Sequence, residues 1–385
     1  MFFCRINVRT SRGKVLLSVN GNGKGPGRAL KAIYTCLMLA AAALVIGGKV
    51  PSIGAWFVAA EPAGTHVGDL YRLCGVDRFR EPIRAQASCR NTPLRQAEIL
   101  TLGDSFFNSA LDSDLFANVL AEKSGHAVHN LPADGFFEPF SYPLAYLEHI
   151  GYRPDRRRIL ILEAVERSSL ERTSSFNARA GSSSNRLDGL AFKVLKNSDV
   201  EYFFKNNLVT RPAISWLKNL RFDWFGIVDG AIGAYTLNPD MLFYRRDLDF
   251  AAQPKPDSVL DGAADRVAQL SATLRTRYGL DLLLVIIPDK YSVYREQAGA
   301  DDPYDRYIPR LVERLRKRGV HSVDLYTAYL ISLRAGKEPL YYMSDSHYTP
   351  LGKSILVDEC LREMAAMKVM DPTEAAGMRR GQRTP

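Results

Sequence analysis

Cysteine is scarce in this chain, five residues in 385, and no two of them form a Cys-x-x-Cys pair. That excludes the usual structural zinc site. Histidine is scarce too. His66, His126, His129, His149 and His321 are scattered without acids at ligand spacing, so neither a metal nor another cofactor is expected. Acidic residues are missing altogether from residues 1–31, which hold Arg5, Arg9, Arg12, Lys14, Lys24, Arg28 and Lys31. Taking those seven from the net charge of +9 leaves +2 for everything after Lys31, so the basic excess is an N-terminal arm and not a nucleic-acid-binding face. Apolar residues at 46% and charged ones at 24% are the proportions of a globular protein.

Long apolar runs are few. Residues 32–48 are seventeen in a row without a charge. As a helix rising ~1.5 Å per residue they would reach about 26 Å, a little short of a ~30 Å hydrocarbon core. Lys49 can snorkel and residues 50–60 are again uncharged, so a transmembrane anchor over 32–50 is expected. A cleaved signal peptide ending near Val58-Ala59-Ala60 is the rival, but the polar stretch ahead is too long and Lys49 interrupts the approach to the cut. A buried helix of a soluble protein is the bland alternative. The basic arm places the N-terminus in the cytoplasm and the rest in the periplasm, as a single-pass inner-membrane protein.

The remainder divides by composition. Residues 1–31 read as a mobile cytoplasmic arm, and their Gly21 to Gly27 run as linker, because no strand precedes it and Pro26 intrudes. Residues 51–95 read as a spacer in which Cys74 and Cys89 form either a short disulfide loop or two free thiols; Cys360 reads as core. From 96 to 368, short apolar runs at 98–102, 126–131, 159–163, 281–287 and 320–325 alternate with helical patterns over 259–278 and 307–318. That alternation predicts an α/β fold, a doubly wound parallel sheet flanked by helices, with its site beyond the strands' C-terminal ends. Residues 170–255 break the rhythm as an aromatic-rich insertion covering that face. Its Tyr202, Phe203, Phe204, Trp216, Phe222, Trp224, Phe225, Tyr235, Phe243 and Tyr244 are either sugar-stacking platforms or a small core of their own. Residues 369–385 read as a disordered tail.

Two stretches carry chemistry. Ile99 to Leu102 is an apolar run that ends in Gly103-Asp104-Ser105, with a helical pattern following. A glycine turn that lifts a hydroxyl before a helix suits a nucleophile, because free amides there favour the anion of acyl transfer. A helix-capping serine is the bland alternative. Far downstream, Asp345 and His347 lie two apart in Tyr341-Tyr342-Met343-Ser344-Asp345-Ser346-His347-Tyr348, so extended backbone projects them to one side. Thr349-Pro350 then opens a helix.

Ser early, with Asp and His just before the last helix, resembles the SGNH (GDSL-type) hydrolases over residues 96–368. Asp345-Ser346-His347-Tyr348 further resembles the Asp-x-His-Trp signature of that superfamily's alginate O-acetyltransferase-like branch, with Tyr348 in place of Trp. Val285 to Tyr294 resembles its Val-x-x-Pro-x-Lys-x-x-x-Tyr element, and Leu162 to Leu170 its strand ending in Glu-Arg. The Asp-x-His element follows the serine here, as in ordinary SGNH enzymes.

The resemblance implies Ser105 as nucleophile, His347 as base and Asp345 as its orienting partner. Gly135 stands where SGNH enzymes carry their second-block glycine, an oxyanion donor beside the Ser105 amide. The third-block Asn is absent, and Glu163 to Arg167 occupies its place; Arg167 either supplies positive charge or pairs with Glu166. Lys290 and Tyr294 follow a strand end and read either as cleft-lining or as ordinary loop residues. The implied function is acyl transfer on a polysaccharide, as O-acetyltransferase or O-acetylesterase, with a multispan membrane acyltransferase as donor. A non-catalytic glycan-binding or scaffolding envelope protein is the rival, favoured by the absent Asn.

Overall fold

The computed structural model of the protein describes residues 7–11, 14–18, 31–39, 65–86, 91–131, 138–177, 210–301, 303–336 and 338–367. The chain divides into two units, Met1–Ala59 with Leu190–Ala213, and Ala60–Gly189 with Ile214–Pro385. In the first, β1 (Asn7–Ser11) and β2 (Lys14–Ser18) pair antiparallel, where the composition suggested an irregular arm. Residues 31–39 form a helix with every residue exposed, while 40–50, the rest of the expected span, lie outside the described residues. Among the described residues no helix is long and apolar enough to cross a membrane. The expected tail likewise lies outside them.

The second unit opens with β3 (Thr65–Val67), α1 (Asp69–Cys74) and β4 (Pro82–Arg84), the strands pairing antiparallel. There follow β5 (Ile99–Leu102), α2 (Ser105–Asn108), α3 (Phe116–Ser124), β6 (Val128–Asn130), α4 (Pro143–His149), β7 (Arg158–Val165) and α5 (Glu166–Ser175). The described part of the expected insertion holds α6 (Thr210–Phe225), the hairpin β8 (Ile232–Leu237) and β9 (Asp240–Tyr244), and α7 (Arg245–Ala252). The chain closes with α8 (Asp257–Tyr278), β10 (Leu280–Ile287), α9 (Lys290–Val293), α10 (Tyr307–Lys317), β11 (His321–Val323), α11 (Leu325–Arg334) and α12 (Pro350–Ala366).

The protein is thus an α/β fold around a five-stranded parallel sheet in the order β11-β10-β7-β5-β6. All five apolar runs became strands. The two central ones, β7 and β10, are buried at every residue, which is why they read as continuous apolar runs and not as alternating ones. The connections run one way from β5 to β6 and the other way from β7 to β10 to β11. Right-handed crossovers therefore send α3 to one face and α8 and α10 to the other. Contacts agree: α12 packs on α3, and α8 on α10. The helix α8 buries Leu260, Ala263, Val267, Leu270 and Leu274 at helical spacing and stops at Gly279, left-handed at φ 62°.

The order reverses between β5 and β7, and a crevice opens there beyond the strand ends. Gly103, just past β5, fits that turn because it has no side chain. A Cβ there would sit 2.8 Å from Glu163 Oε2 and 2.9 Å from both Glu163 Cβ and Phe107. We expect Gly103→Ala to cost about 1–3 kcal/mol of stability through this overpacking. Urea unfolding of parent and variant checks the figure, and an unchanged midpoint would show that the turn has room to spare.

Candidate active site

Ser105 begins α2 and is exposed, while Phe106 and Phe107 beside it are buried. Asp104 caps the helix by accepting from the Phe106 amide at 3.0 Å, and its own amide donates to Glu163 Oε2 at 2.7 Å. Asn108 Nδ2 donates to the carbonyls of Gly103 and Asp104 at 3.0 and 2.8 Å, and Asn130 Nδ2 donates to Asn108 Oδ1 at 2.7 Å. The nucleophile turn is therefore held by side chains from β6 and β7 as well as by its own helix.

The second half of the site is the loop from Leu340 to Tyr348. Tyr341 bridges Tyr348 across it, the Tyr342 amide donates to His347 O at 3.2 Å, and the Thr349 amide donates to Leu340 O at 2.9 Å. Within it His347 Nε2 lies 2.8 Å from Ser105 Oγ, and His347 Nδ1 lies 2.6 Å from Asp345 Oδ1. Asp345 Oδ1 also accepts the His347 amide at 2.8 Å. Serine, imidazole and carboxylate form one hydrogen-bonded chain. Burial alone would push Asp345 up, but hydrogen bonds from the His347 and His66 rings, with the charge of His347, outweigh it and hold the carboxyl well below the usual range. Burial would lower His347; the hydrogen bond to Asp345 and its charge outweigh that and hold the imidazole above its ordinary value.

Tyr348, in the place where the resembling signature has Trp, is buried, and its hydroxyl donates to Phe106 O. It joins the loop directly to the nucleophile helix. Lys353 on α12 does similar work one turn on, donating to Ser109 O at 3.0 Å, Ser113 Oγ at 2.9 Å and Asp114 O at 2.6 Å; burial brings its pKa down to about 8.

Lys290 and Tyr294 are both buried. Lys290 is buried and its Nζ donates to Tyr342 O at 2.6 Å, Met343 O at 2.7 Å and Asp345 O at 3.3 Å. Burial pushes its pKa down to about 7 despite the Asp69, Glu81, Asp345 and Asp247 carboxylates around it. The Tyr294 hydroxyl accepts the Leu340 amide at 2.8 Å. Both residues carry the Asp345–His347 loop. The carboxylates that Arg167 pairs with are those of Asp289 and Asp247: its Nη1 lies 2.7 Å from the first and 3.3 Å from the second. Burial raises Glu166 to about 7, although it accepts the Asp289 amide and the Tyr304 hydroxyl. The guanidinium that does reach the serine turn is Arg172, 2.6 Å from Asp104 Oδ2 and stacked on Phe140 at 4.2 Å. Gly135 lies outside the described residues.

The segment read as a spacer supplies three residues that the motif reading missed. Asp69 turns its Oδ1 to the Ser346 amide at 2.7 Å and gives its own amide to Asp345 Oδ2 at 2.9 Å. Glu81 Oε2 accepts both Ser344 N and Ser344 Oγ at 3.0 Å. His66 Nε2 reaches Asp345 Oδ2 at 2.9 Å. Ligand atoms of Asp69, Asp345 and His347 lie within 4.8 Å of one another, as a metal centre would have them, yet the bonds just given already use these carboxylates as hydrogen-bond acceptors. Cys74 is a free, buried thiol, and Cys89, its expected neighbour, lies outside the described residues. The insertion's aromatics divide. Phe222 and Tyr235 pack edge-on with Phe79 in a small core, whereas Trp216 and Trp224 are 65% and 72% exposed. The β8–β9 hairpin reaches the site loop, the Leu242 amide donating to Met343 O at 3.0 Å.

Comparison with known proteins agrees with this architecture. Residues 238–375 match the family model described as the SGNH hydrolase-like domain of the acetyltransferase AlgX. The match takes in the Asp345–His347 loop, Lys290 and Tyr294 but not Ser105. Over 100 residues the chain is 30% identical to the "Probable alginate O-acetylase AlgJ" of Pseudomonas aeruginosa, an alignment spanning 25% of this chain and 25% of that protein. No solved structure matches. These two matches support an SGNH hydrolase-like domain here, with residues 238–375 as the part that the family model covers. Within that superfamily they support a likeness to the alginate acetyltransferase-like branch.

Lys290→Met keeps the bulk of the side chain but removes the donor to the carbonyls of Tyr342 and Met343. Leaving buried carbonyls without partners should cost about 1–3 kcal/mol. Urea unfolding measures that loss, and amide exchange over residues 340–347 should quicken while the sheet stays protected.

Proposed function

We propose that the protein is a serine acyl-transfer enzyme, an O-acetyltransferase or O-acetylesterase acting on a polysaccharide. The observation that carries this reading is the Ser105 Oγ–His347 Nε2 contact of 2.8 Å, continued through His347 Nδ1 to Asp345 at 2.6 Å. Ser105 Oγ attacks the acyl carbonyl as His347 Nε2 takes its proton. The tetrahedral intermediate collapses, expelling the donor's alkoxide, which receives that proton. A glycan hydroxyl, or water, then attacks the acyl-serine by the reverse sequence, His347 again serving as base. Asp345 keeps the proton on Nδ1 and stabilises the imidazolium. The Ser105 amide and Gly135 are the proposed oxyanion donors.

The partners follow from the same reading. The printed name alginate O-acetylase, borne by the similar protein, favours a polysaccharide as acceptor, and a multispan membrane acyltransferase is the proposed acyl donor. The charge-free run from 32 supports a single span in the inner membrane with the site in the periplasm. An export-dependent reporter fused after Gly64 should be active. Activity of a cytoplasmic reporter alone at that point would sink the topology.

Ser105→Ala should lower acetyl release from p-nitrophenyl acetate by roughly 10³-fold, and adding His347→Ala or Asp345→Asn should cost little more, because the three act as a unit. Acetate appearing on purified glycan marks a transferase, and acetate in solution alone an esterase. The pH profile has a definite sign. His347 works as base only when neutral, and its pKa is raised, so kcat/KM should fall with acid through a midpoint above the ordinary 6.5. A folded Ser105→Ala variant equal to the parent in both assays would leave the serine as a helix cap, and the chain as a binder of glycan.

A further inference from the structure

The carboxylate of Asp345 is fully buried and has two working oxygens. Oδ1 serves His347, through the ring at 2.6 Å and the amide at 2.8 Å. Oδ2 faces the other way and accepts the Asp69 amide and the His66 ring, each at 2.9 Å. His66 comes from β3, 279 residues away in sequence, and its backbone is held by the pairing of His66 with Ile83 across the small sheet. Gly68, two residues on, lets this segment close in; a Cβ there would lie 2.2 Å from Ser344 O. A second imidazole is thus built against the acid that orients the first.

Resting on the acyl-transfer reading, we propose that His66 is a positioning residue: it anchors Asp345 by Oδ2 and draws part of the carboxylate's charge away from His347. Two donors share one negative charge here, so each receives less of it than it would alone. With His66 in place, His347 keeps a base strength nearer that useful at neutral pH, and Oδ2 is held by a side-chain donor as well as by the Asp69 amide. The other charged groups facing Asp345 and His347 are Asp69, Glu81, Lys290 and Asp104. Asp69 is committed to Ser346, Glu81 to Ser344, Asp104 to Arg172, and Lys290 to loop carbonyls. None of them donates a side-chain hydrogen to Oδ2. His66 is the group whose removal changes what that oxygen sees.

The test uses the full-length protein with His66→Ala and His66→Gln. The glutamine amide can place a donor where imidazole Nε2 stood, without titrating. Rates with p-nitrophenyl acetate are taken across about pH 5 to 9, and the His347 ring is titrated by NMR, its signal assigned by its loss in His347→Gln. For His66→Ala we expect kcat to drop about 10-fold with KM within about 2-fold, and both the acid limb and the His347 midpoint to rise by about half a unit or more. His66→Gln should recover most of the rate and return the midpoint toward that of the parent. Should the alanine variant not fold, His66→Asn, whose amide is too short to reach Oδ2, takes its place. An unmoved His347 midpoint in a folded variant lacking the donor overturns the proposal, even if rate or stability falls. A parent without activity on ester or glycan would sink the acyl-transfer reading instead, and the NMR midpoint would still decide whether His66 acts on His347.

Discussion

One buried carboxylate holds the candidate site together. Asp345 accepts four hydrogen bonds, two from His347 and two from the segment around residues 66–69. An ionised carboxylate out of reach of water is costly unless its oxygens are met by donors, and here each oxygen has two. That requirement fixes neighbours from both ends of the chain. It also explains why Lys290 and Tyr294 point at backbone and not at open space. A loop that must deliver one acid and one imidazole to a serine at the start of α2 has to be held at its carbonyls and amides. Lys290, Tyr294, Tyr348, Glu81 and Asp69 are among the side chains that hold it.

The sheet was legible in the sequence because buried parallel strands leave the plainest mark a sequence can carry. Leu280 to Ile287 reads as a strand for the same reason that it is one: both its faces are covered. Ser105, Asp345 and His347 were legible as well, since a glycine turn before a helix and an Asp-x-His pair before a capped helix are local patterns. What stayed hidden was relational. Nothing in the spacing of His66, Asp69 and Glu81 distinguishes them from polar residues of a linker. Their role appears only when the chain returns to Ser344–Ser346. Arg167 illustrates the converse case. It stood at the right strand end, but the buried Asp247 and Asp289 claim it, and Arg172, one and a half turns along α5, reaches the nucleophile turn instead.

The aromatic insertion shows how composition alone leaves two physical outcomes open. Phe222 and Tyr235 close a small core over Phe79, as aromatics do when a short segment must bury itself. Trp216 and Trp224 share a helix with Phe222 yet turn outward. Beside Phe222, the helix α6 is anchored by polar groups: Asn219 accepts the Asp77 amide at 2.9 Å, and Lys218 donates to Leu73 O at 2.9 Å. A rule that buries every aromatic stripe inverts the orientation of this helix.

The small antiparallel sheet of β3 and β4 lies outside the parallel one, and a domain boundary drawn at the first strand of the larger sheet would leave it out. A fragment cut there would retain every residue of the five-stranded core, together with Ser105, Asp345 and His347. It would nonetheless lack the acceptors for Ser344 and Ser346 and the donors to Asp345 Oδ2. The site loop of such a fragment would be left without these partners, so the candidate site is built from residues that begin at β3 (Thr65–Val67), ahead of β5.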